Sequence, residues 1–169
     1  MKKILSAVML ITMGHFALPQ NLKNSPITVN PEVSTSTEPS SAVNPSYVNT
    51  KAVRNFKKTF KGVDSEKWYE MPDGYRVNFT LNGVRHRLDY DKKGNWRYTI
   101  RYISEKNLPT DVRRYVASNY LDYSVTTIEE IQSPRNPITF VIHLEGSKNF
   151  INLRVSDNEV SELQKINKS

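Results

Sequence analysis

The sequence predicts an α+β protein: a helix plus about four antiparallel strands, repeated in tandem, with the helices packed on one face of an antiparallel sheet. Three observations carry this. Apolar residues alternate with polar ones in several eight-residue runs, the period of a half-buried strand. An Asn82-Gly83 pair sits between two of those runs, a hairpin signal because both central residues of a type I′ turn need positive φ. The pattern then starts again about 60 residues on. Val53-Arg54-x-Phe56 corresponds to Val112-Arg113-x-Tyr115, and Leu81-Asn82-Gly83 to Leu144-Glu145-Gly146.

The elements follow in order. Val53, Phe56 and Phe60 at 3–4 spacing, with Arg54, Lys57, Lys58 and Lys61 between them, predict an amphipathic helix over 51–62 with a basic outer face. Gly62 stops it, a short strand follows around Lys67–Glu70, and Pro72-Asp73-Gly74 is a turn. Tyr75, Val77, Phe79 and Leu81 alternate with Arg76, Asn78 and Thr80. Past the turn, Val84, His86, Leu88 and Tyr90 alternate with Arg85, Arg87 and Asp89. A two-residue loop sets Leu81 against Val84, Phe79 against His86, Val77 against Leu88 and Arg76 against Asp89, so the apolar set falls on one side. After the turn at 91–95, Trp96, Tyr98, Ile100 and Tyr102 read as the core side of a third strand.

The second half opens at Leu108-Pro109-Thr110-Asp111, where Thr110 or Asp111 would cap a helix striped by Val112, Tyr115, Val116 and Tyr120. Strands are predicted at Ser124–Gln132, around Ile138–Leu144, at Ile151–Val155 and at Val160–Ile166. Glu145-Gly146 takes the place of Asn82-Gly83, and Ser156-Asp157-Asn158 is a turn. A unit of ~50–60 residues has a thin core, so the halves, 51–107 and 108–169, are expected to share one sheet or one core.

The N-terminal part reads differently. Lys2-Lys3 precedes an apolar stretch, Ile4–Met13, the layout of a secretory signal peptide over residues 1–20. That run is short of the ~20 residues of a membrane span, so no stable membrane anchor is expected. Residues 21–50, rich in Ser, Thr, Asn and Pro, read as a disordered spacer. A periplasmic or secreted location follows, and a chain with no Cys suits it without oxidative folding.

The motifs argue against catalysis. No Cys excludes a thiol nucleophile, a Cys-ligated metal and a lipid-carrying Cys. No phosphate loop, nucleophile elbow or His-Glu-x-x-His is present. His15 belongs to the signal segment; His86 falls on the core side of its strand and His143 on the opposite face of its own. Neither has companions at ligand spacing, so no metal and no cofactor is expected. Glu129 and Glu130 point to opposite faces of a strand and cannot act as a pair.

The formal charge of +7 is uneven. Residues 51–108 hold 14 basic and 7 acidic residues, against 7 and 8 in 109–169. Arg76, Arg85, Arg87, Arg97 and Arg101 all occupy positions opposite the apolar ones, and an Arg-lined face suits carboxylates, phosphates or acidic peptides. Two readings of that row stand: a binding face for an acidic protein, peptide or envelope polyanion, or a solvated strand face with Arg76–Asp89 an exposed pair worth ~0–1 kcal/mol. Nucleic acid is not an expected partner, since no recognition motif accompanies the charge. A scaffold that oligomerises by sheet-edge pairing is the alternative to a binding module.

Over residues 51–166 the chain resembles the periplasmic, β-lactamase-inhibitor-like PepSY-like family of Bacteroidota. The resemblance rests on the signal peptide, Val53–Phe60, Trp68, Gly74–Phe79, Leu81-Asn82-Gly83, Asp91–Trp96, Leu108-Pro109 and Val112–Tyr120. It implies tandem α/β units around an antiparallel sheet, export, no known catalytic residues, and binding or inhibition of enzymes such as peptidases through an open sheet face.

Overall fold

The computed structural model describes residues 41–157 and 159–169. The signal segment and residues 21–40 of the predicted spacer lie outside the described residues. The spacer's predicted end at residue 50 is corrected. Val43 donates its N–H to the Trp68 carbonyl, Val48 is buried, and Asn49 Oδ1 accepts from the Lys51 N–H to cap the first helix. Asn is a strong cap because its side chain satisfies an orphan helix donor. Loop composition hid those three attachments.

Helix α1 (Thr50–Thr59) leads into strands β1 (Asp64–Met71), β2 (Gly74–Leu81), β3 (Val84–Asp91) and β4 (Trp96–Ile103). Helix α2 (Thr110–Asn119) leads into β5 (Tyr123–Gln132), β6 (Thr139–Gly146), β7 (Asn149–Ser156) and β8 (Glu159–Asn167). All eight strands form one antiparallel sheet in sequence order. The described residues are therefore α+β, with two α-helices and their strands joined into one sheet at β4–β5.

The β2–β3 register matches the expectation pair for pair, from Leu81–Val84 to Arg76–Asp89. Asn82 and Gly83 both have positive φ, as a type I′ turn requires. Two local expectations fail. Gly146 is not a turn residue: it ends β6 and lies against the Tyr123 ring, where an added Cβ would come to 2.7 Å. Helix α2 starts after Pro109 and has no side-chain cap, with Thr110 already inside the first turn.

The helices cover one face. Ala52 and Phe56 of α1 pack on Trp68, Val77, Phe79, Leu88 and Tyr90. Phe56 meets Trp68 and Phe79 edge-on at 5.5 and 5.0 Å, arrangements worth about 0.5–1.5 kcal/mol each beyond area burial. Val112 and Val116 of α2 pack on Ile128, Ile142, Leu144, Ile151 and Leu153. Between these two cores, on the same side of the sheet, Arg101 pairs with Glu130 across the β4–β5 join at 2.8 Å.

Strand β4 departs from its predicted facing. Tyr90 pairs with Trp96 but Asp89 pairs with Tyr98, so Arg97 is the extra residue of a bulge. One inserted residue inverts every side chain after it. Trp96 stays on the helix side, with Nε1 donating to Thr99 Oγ1 at 3.1 Å. Tyr98, Ile100 and Tyr102 pass to the open face, opposite Asp89, Arg87 and beside Arg85. Thr99 and Arg101 pass to the helix side.

Candidate functional site

The face away from the helices is covered by no element of the described chain. Its first half is built from β1 to β4: Lys67 and Tyr69, then Arg76, Asn78 and Thr80, then Arg85, Arg87 and Asp89, then Tyr98, Ile100 and Tyr102. Antiparallel partners share a face, so the pairing itself places these side chains together.

At its centre one carboxylate serves two guanidiniums. Arg76 Nε and Nη2 both reach Asp89 at 3.0 Å, a two-pronged grip suited to the planar guanidinium. Arg87 Nε lies 3.3 Å from the same carboxylate, and Tyr98 donates its hydroxyl to it at 2.8 Å. Arg76 is 4% exposed and Asp89 7%, so the expected exposed pair is in fact buried. Burial alone would push the Asp89 carboxyl up. The Arg76 hydrogen bonds, the Arg87 and Arg76 charges and the Tyr98 hydroxyl outweigh it and hold the carboxyl below its usual value. Burial and the Asp89 charge raise the Tyr98 phenol.

The five arginines singled out by sequence do not converge. Arg76, Arg85 and Arg87 share the open face. Arg97, at the bulge, turns to Asp73 in the β1–β2 turn, and Arg101 faces the helix side with Glu130. Arg76 and Arg87 are committed to Asp89. Arg85 has no carboxylate partner among the described residues; it lies over the Tyr102 ring, 4.6 Å from its centroid. Arg85, Tyr102, Lys67, Tyr69 and Thr80 border a hollow of about 270 Å³. Lys67 and the aromatic pair were absent from the predicted site. Tyr102 was hidden by the β4 bulge; Lys67 lay inside the predicted strand, whose short pattern assigned it no face.

The second half of the face mixes polar side chains with apolar ones, Val141, Phe150 and Ile166 among them. His143 and Asn152 bond at 2.8 Å across β6–β7, and Asn152 donates to Gln164 of β8 at 3.2 Å. His143 and Asn152, with Thr127, Glu129 and Phe150, border a shallow hollow of about 390 Å³. His143 Nε2 is shielded from solvent and has no hydrogen-bond partner. His86 lies on the other side, stacked on Phe79 at 4.9 Å, with Nδ1 2.8 Å from the Val84 carbonyl. Among the described residues no three His, Asp or Glu side chains are grouped so as to hold a metal ion. No helix among them is long and apolar enough to cross a membrane.

Two helices on one face of a meandering sheet, with the other face uncovered by any described residue, define an open-faced α+β fold. Residues 73–158, just over half of the chain, match the model of the beta-lactamase-inhibitor-like, PepSY-like family, and the chain belongs to that family. Solved structures share the fold. A BLIP-like protein from Bacteroides fragilis is 21% identical, with a TM-score of 0.61 over 71% of this chain and 86% of its own. A DUF2874 family protein from Bacteroides ovatus is 19% identical, with a TM-score of 0.62 over 71% and 87%. A Bacteroides eggerthii protein described as "putative periplasmic" is 17% identical, with a TM-score of 0.63 over 72% and 89%. No curated protein matches the sequence.

Proposed function

We propose that this chain is an exported, non-catalytic binding module that grips an acidic protein or peptide surface through the open sheet face, between Lys67 and Arg85. The observation that carries this is the Arg85–Tyr102 stack beside Lys67. It puts two cations that have no carboxylate partner among the described residues next to an aromatic anchor, on a face that nothing in the described chain covers. Aromatic and Arg side chains dominate binding hot spots because they bury large areas with directional polar contacts. Arg76, Asp89, Arg87 and Tyr98 then act as the rigid floor of the site rather than as its ligand-binding groups.

The family membership and the bare face support a binding role, including enzyme or peptidase inhibition. The layout of residues 1–20 and the periplasmic description of one structural neighbour support export. Residues 51–107 and 108–169 are read as two copies of one unit, each a ten-residue helix followed by four strands. The copies have diverged in surface: the first carries the site, while the second places Glu129, Glu145 and Arg154 on that face.

The test is capture from a periplasmic extract on the immobilised protein. Soluble wild-type protein and the Lys67→Glu/Arg85→Glu variant are each used as competitor. Competition at least tenfold weaker by the variant is the expected result. Equal competition by a variant with an unchanged circular dichroism spectrum would overturn the assignment to this face.

A second reading has one observation behind it. Phe150 and Ile166 pair across β7–β8 on the open face, 40% and 45% exposed, beside the outer edge of β8. Edge pairing of two copies there would make a scaffold, and a monomer in sedimentation at high concentration would remove that reading.

A further inference from the structure

The unbalanced positive charge of the fold is on the helix layer, not on the sheet. Of the five arginines on β2 to β4, four pair with three carboxylates, Asp89, Asp73 and Glu130. Helix α1 has no such matches. Between Glu38 and Asp64 the sequence has no acidic residue, and the helix and its C-terminal turn carry Lys51, Arg54, Lys57, Lys58 and Lys61. At 100° per residue, Lys51, Arg54, Lys57 and Lys58 span an arc of about 120° opposite buried Ala52 and Phe56. All five cations are exposed, and no described Asp or Glu forms an ion pair with any of them.

The cationic surface extends past the helix. Lys51 donates to Asn95 Oδ1, and Asn49 Nδ2 donates to the Lys92 carbonyl at 3.1 Å. These bonds hold exposed Lys92 and Lys93, in the β3–β4 turn, beside the helix N-terminus. Tyr47, 80% exposed, stands in the short 3₁₀ turn that leads into α1.

We propose that this face adsorbs to an anionic phospholipid surface, lying flat on the headgroup phosphates. Six of the seven cations are lysines, compact hydrated charges that attract phosphates without needing the fixed fork geometry of a protein carboxylate site. Clusters of four to eight Lys or Arg on an amphipathic helix are the charge density that anionic headgroups recognise. The polar arc of α1 presents no large apolar side chain, so adsorption is electrostatic and reversible, and an exposed Tyr suits the interface. The helix layer and the bare face are on opposite sides of one sheet. A chain adsorbed through α1 therefore turns its open face away from the membrane.

The test is vesicle sedimentation of the full chain with phosphatidylcholine vesicles and with 70:30 phosphatidylcholine:phosphatidylglycerol vesicles. The ratio of the two partition coefficients is the readout, compared with that of variants that share the same N-terminal segment and its Lys2, Lys3 and Lys23. Each cation near such a surface multiplies binding about fivefold. Arg54→Gln/Lys57→Gln/Lys58→Gln should therefore lower the ratio on the order of 100-fold, or to unity if the wild-type ratio is smaller than that. Raising the salt from 50 to 500 mM should also bring it toward unity. Neutralising three cations of the opposite face, Lys67→Gln/Arg85→Gln/Arg154→Gln, should leave it within about twofold. A wild-type ratio of one, or equal losses in the two triple variants, would overturn the proposal. So would retention on an acidic polypeptide resin by α1 charge with no preference for phosphatidylglycerol. Failure here leaves the sheet-face assignment standing, since the two faces are tested by different variants.

Discussion

Replacing Asp89 with Asn is the most direct probe of how the sheet face is built. The change keeps the shape and removes the charge that two guanidiniums share. Asp89 accepts from Arg76 twice at 3.0 Å, from Arg87 at 3.3 Å and from Tyr98 at 2.8 Å. The Arg76 and Asp89 side chains are 5% and 10% exposed, so solvent cannot substitute. An Asn offers one acceptor oxygen and points an NH₂ at a group that can only donate. Breaking one partner of a buried pair costs about 3–5 kcal/mol, a large share of the ~5–15 kcal/mol that stabilises a domain. Urea unfolding followed by circular dichroism should show that loss at unchanged m. The pH dependence supplies a second reading. The folded carboxyl titrates below its ordinary value, so its contribution is complete above about pH 4 and disappears as the pH falls through the folded value. The gap between the two proteins should narrow in acid. The double variant Arg76→Met/Asp89→Leu should recover at least half of the loss, because it removes the buried Arg76 charge and leaves without a carboxylate only Arg87, whose side chain is 19% exposed. A single-variant cost under ~1 kcal/mol, or a gap independent of pH, would refute the buried-pair account.

Three further outcomes follow from the same geometry. Phe56→Ala empties the centre of the first core and should cost about 3–5 kcal/mol in a thermal or urea melt. Gly74→Ala would put a Cβ 1.9 Å from the Tyr90 carbonyl oxygen at the start of the β2–β3 ladder, costing on the order of 3 kcal/mol and lowering the Tm accordingly. His86 is held neutral chiefly by burial, with Arg101 adding to the shift and the Val84 carbonyl and Glu130 opposing it, so its folded value lies below the ordinary 6.5. Its contribution is complete above pH 6.5 and is lost as the pH falls through the folded value; His86→Phe should flatten that part of the stability–pH curve, measured by chemical denaturation between pH 5 and 7.5.

The parts of the fold legible in the sequence are those where one local rule decides. A two-residue Asn-Gly turn leaves one register for the flanking strands, and β2–β3 pairs accordingly. The facing of β4 was not legible, for a physical reason. Trp96-Arg97-Tyr98-Thr99-Ile100-Arg101-Tyr102 alternates without interruption, and a bulge changes the partner count without changing the alternation. Only the three-dimensional pairing shows that Trp96 and Tyr98 face opposite sides. The inversion is also what completes the site. It lays Tyr98 on Asp89 and Tyr102 under Arg85, and removes Arg97 and Arg101 to their own carboxylates. Residues 41–50 were hidden differently: their composition is that of a loop, and three attachments made by Val43, Val48 and Asn49 are enough to order them.

The charge is where sequence and structure lead to different chemistry. Counting residues puts the excess in 51–108 and directs attention to five arginines on strands, because strand alternation makes them conspicuous. Ion pairing then cancels most of that row. A strand brings each charge within reach of its cross-strand neighbours, so Arg76 finds Asp89 and Arg101 finds Glu130. In α1 every neighbour three or four residues away on that arc is basic or neutral. On the sheet four of the five arginines therefore share three carboxylates, while the cations of the helix have no ion-pair partner among the described residues. An acidic protein site needs few cations in fixed geometry beside an aromatic surface, which Lys67, Arg85 and Tyr102 provide. A fluid anionic surface needs many cations in loose geometry, which α1 provides. The two faces differ in the number and fixation of their charges, and the two proposed ligands differ in the same way.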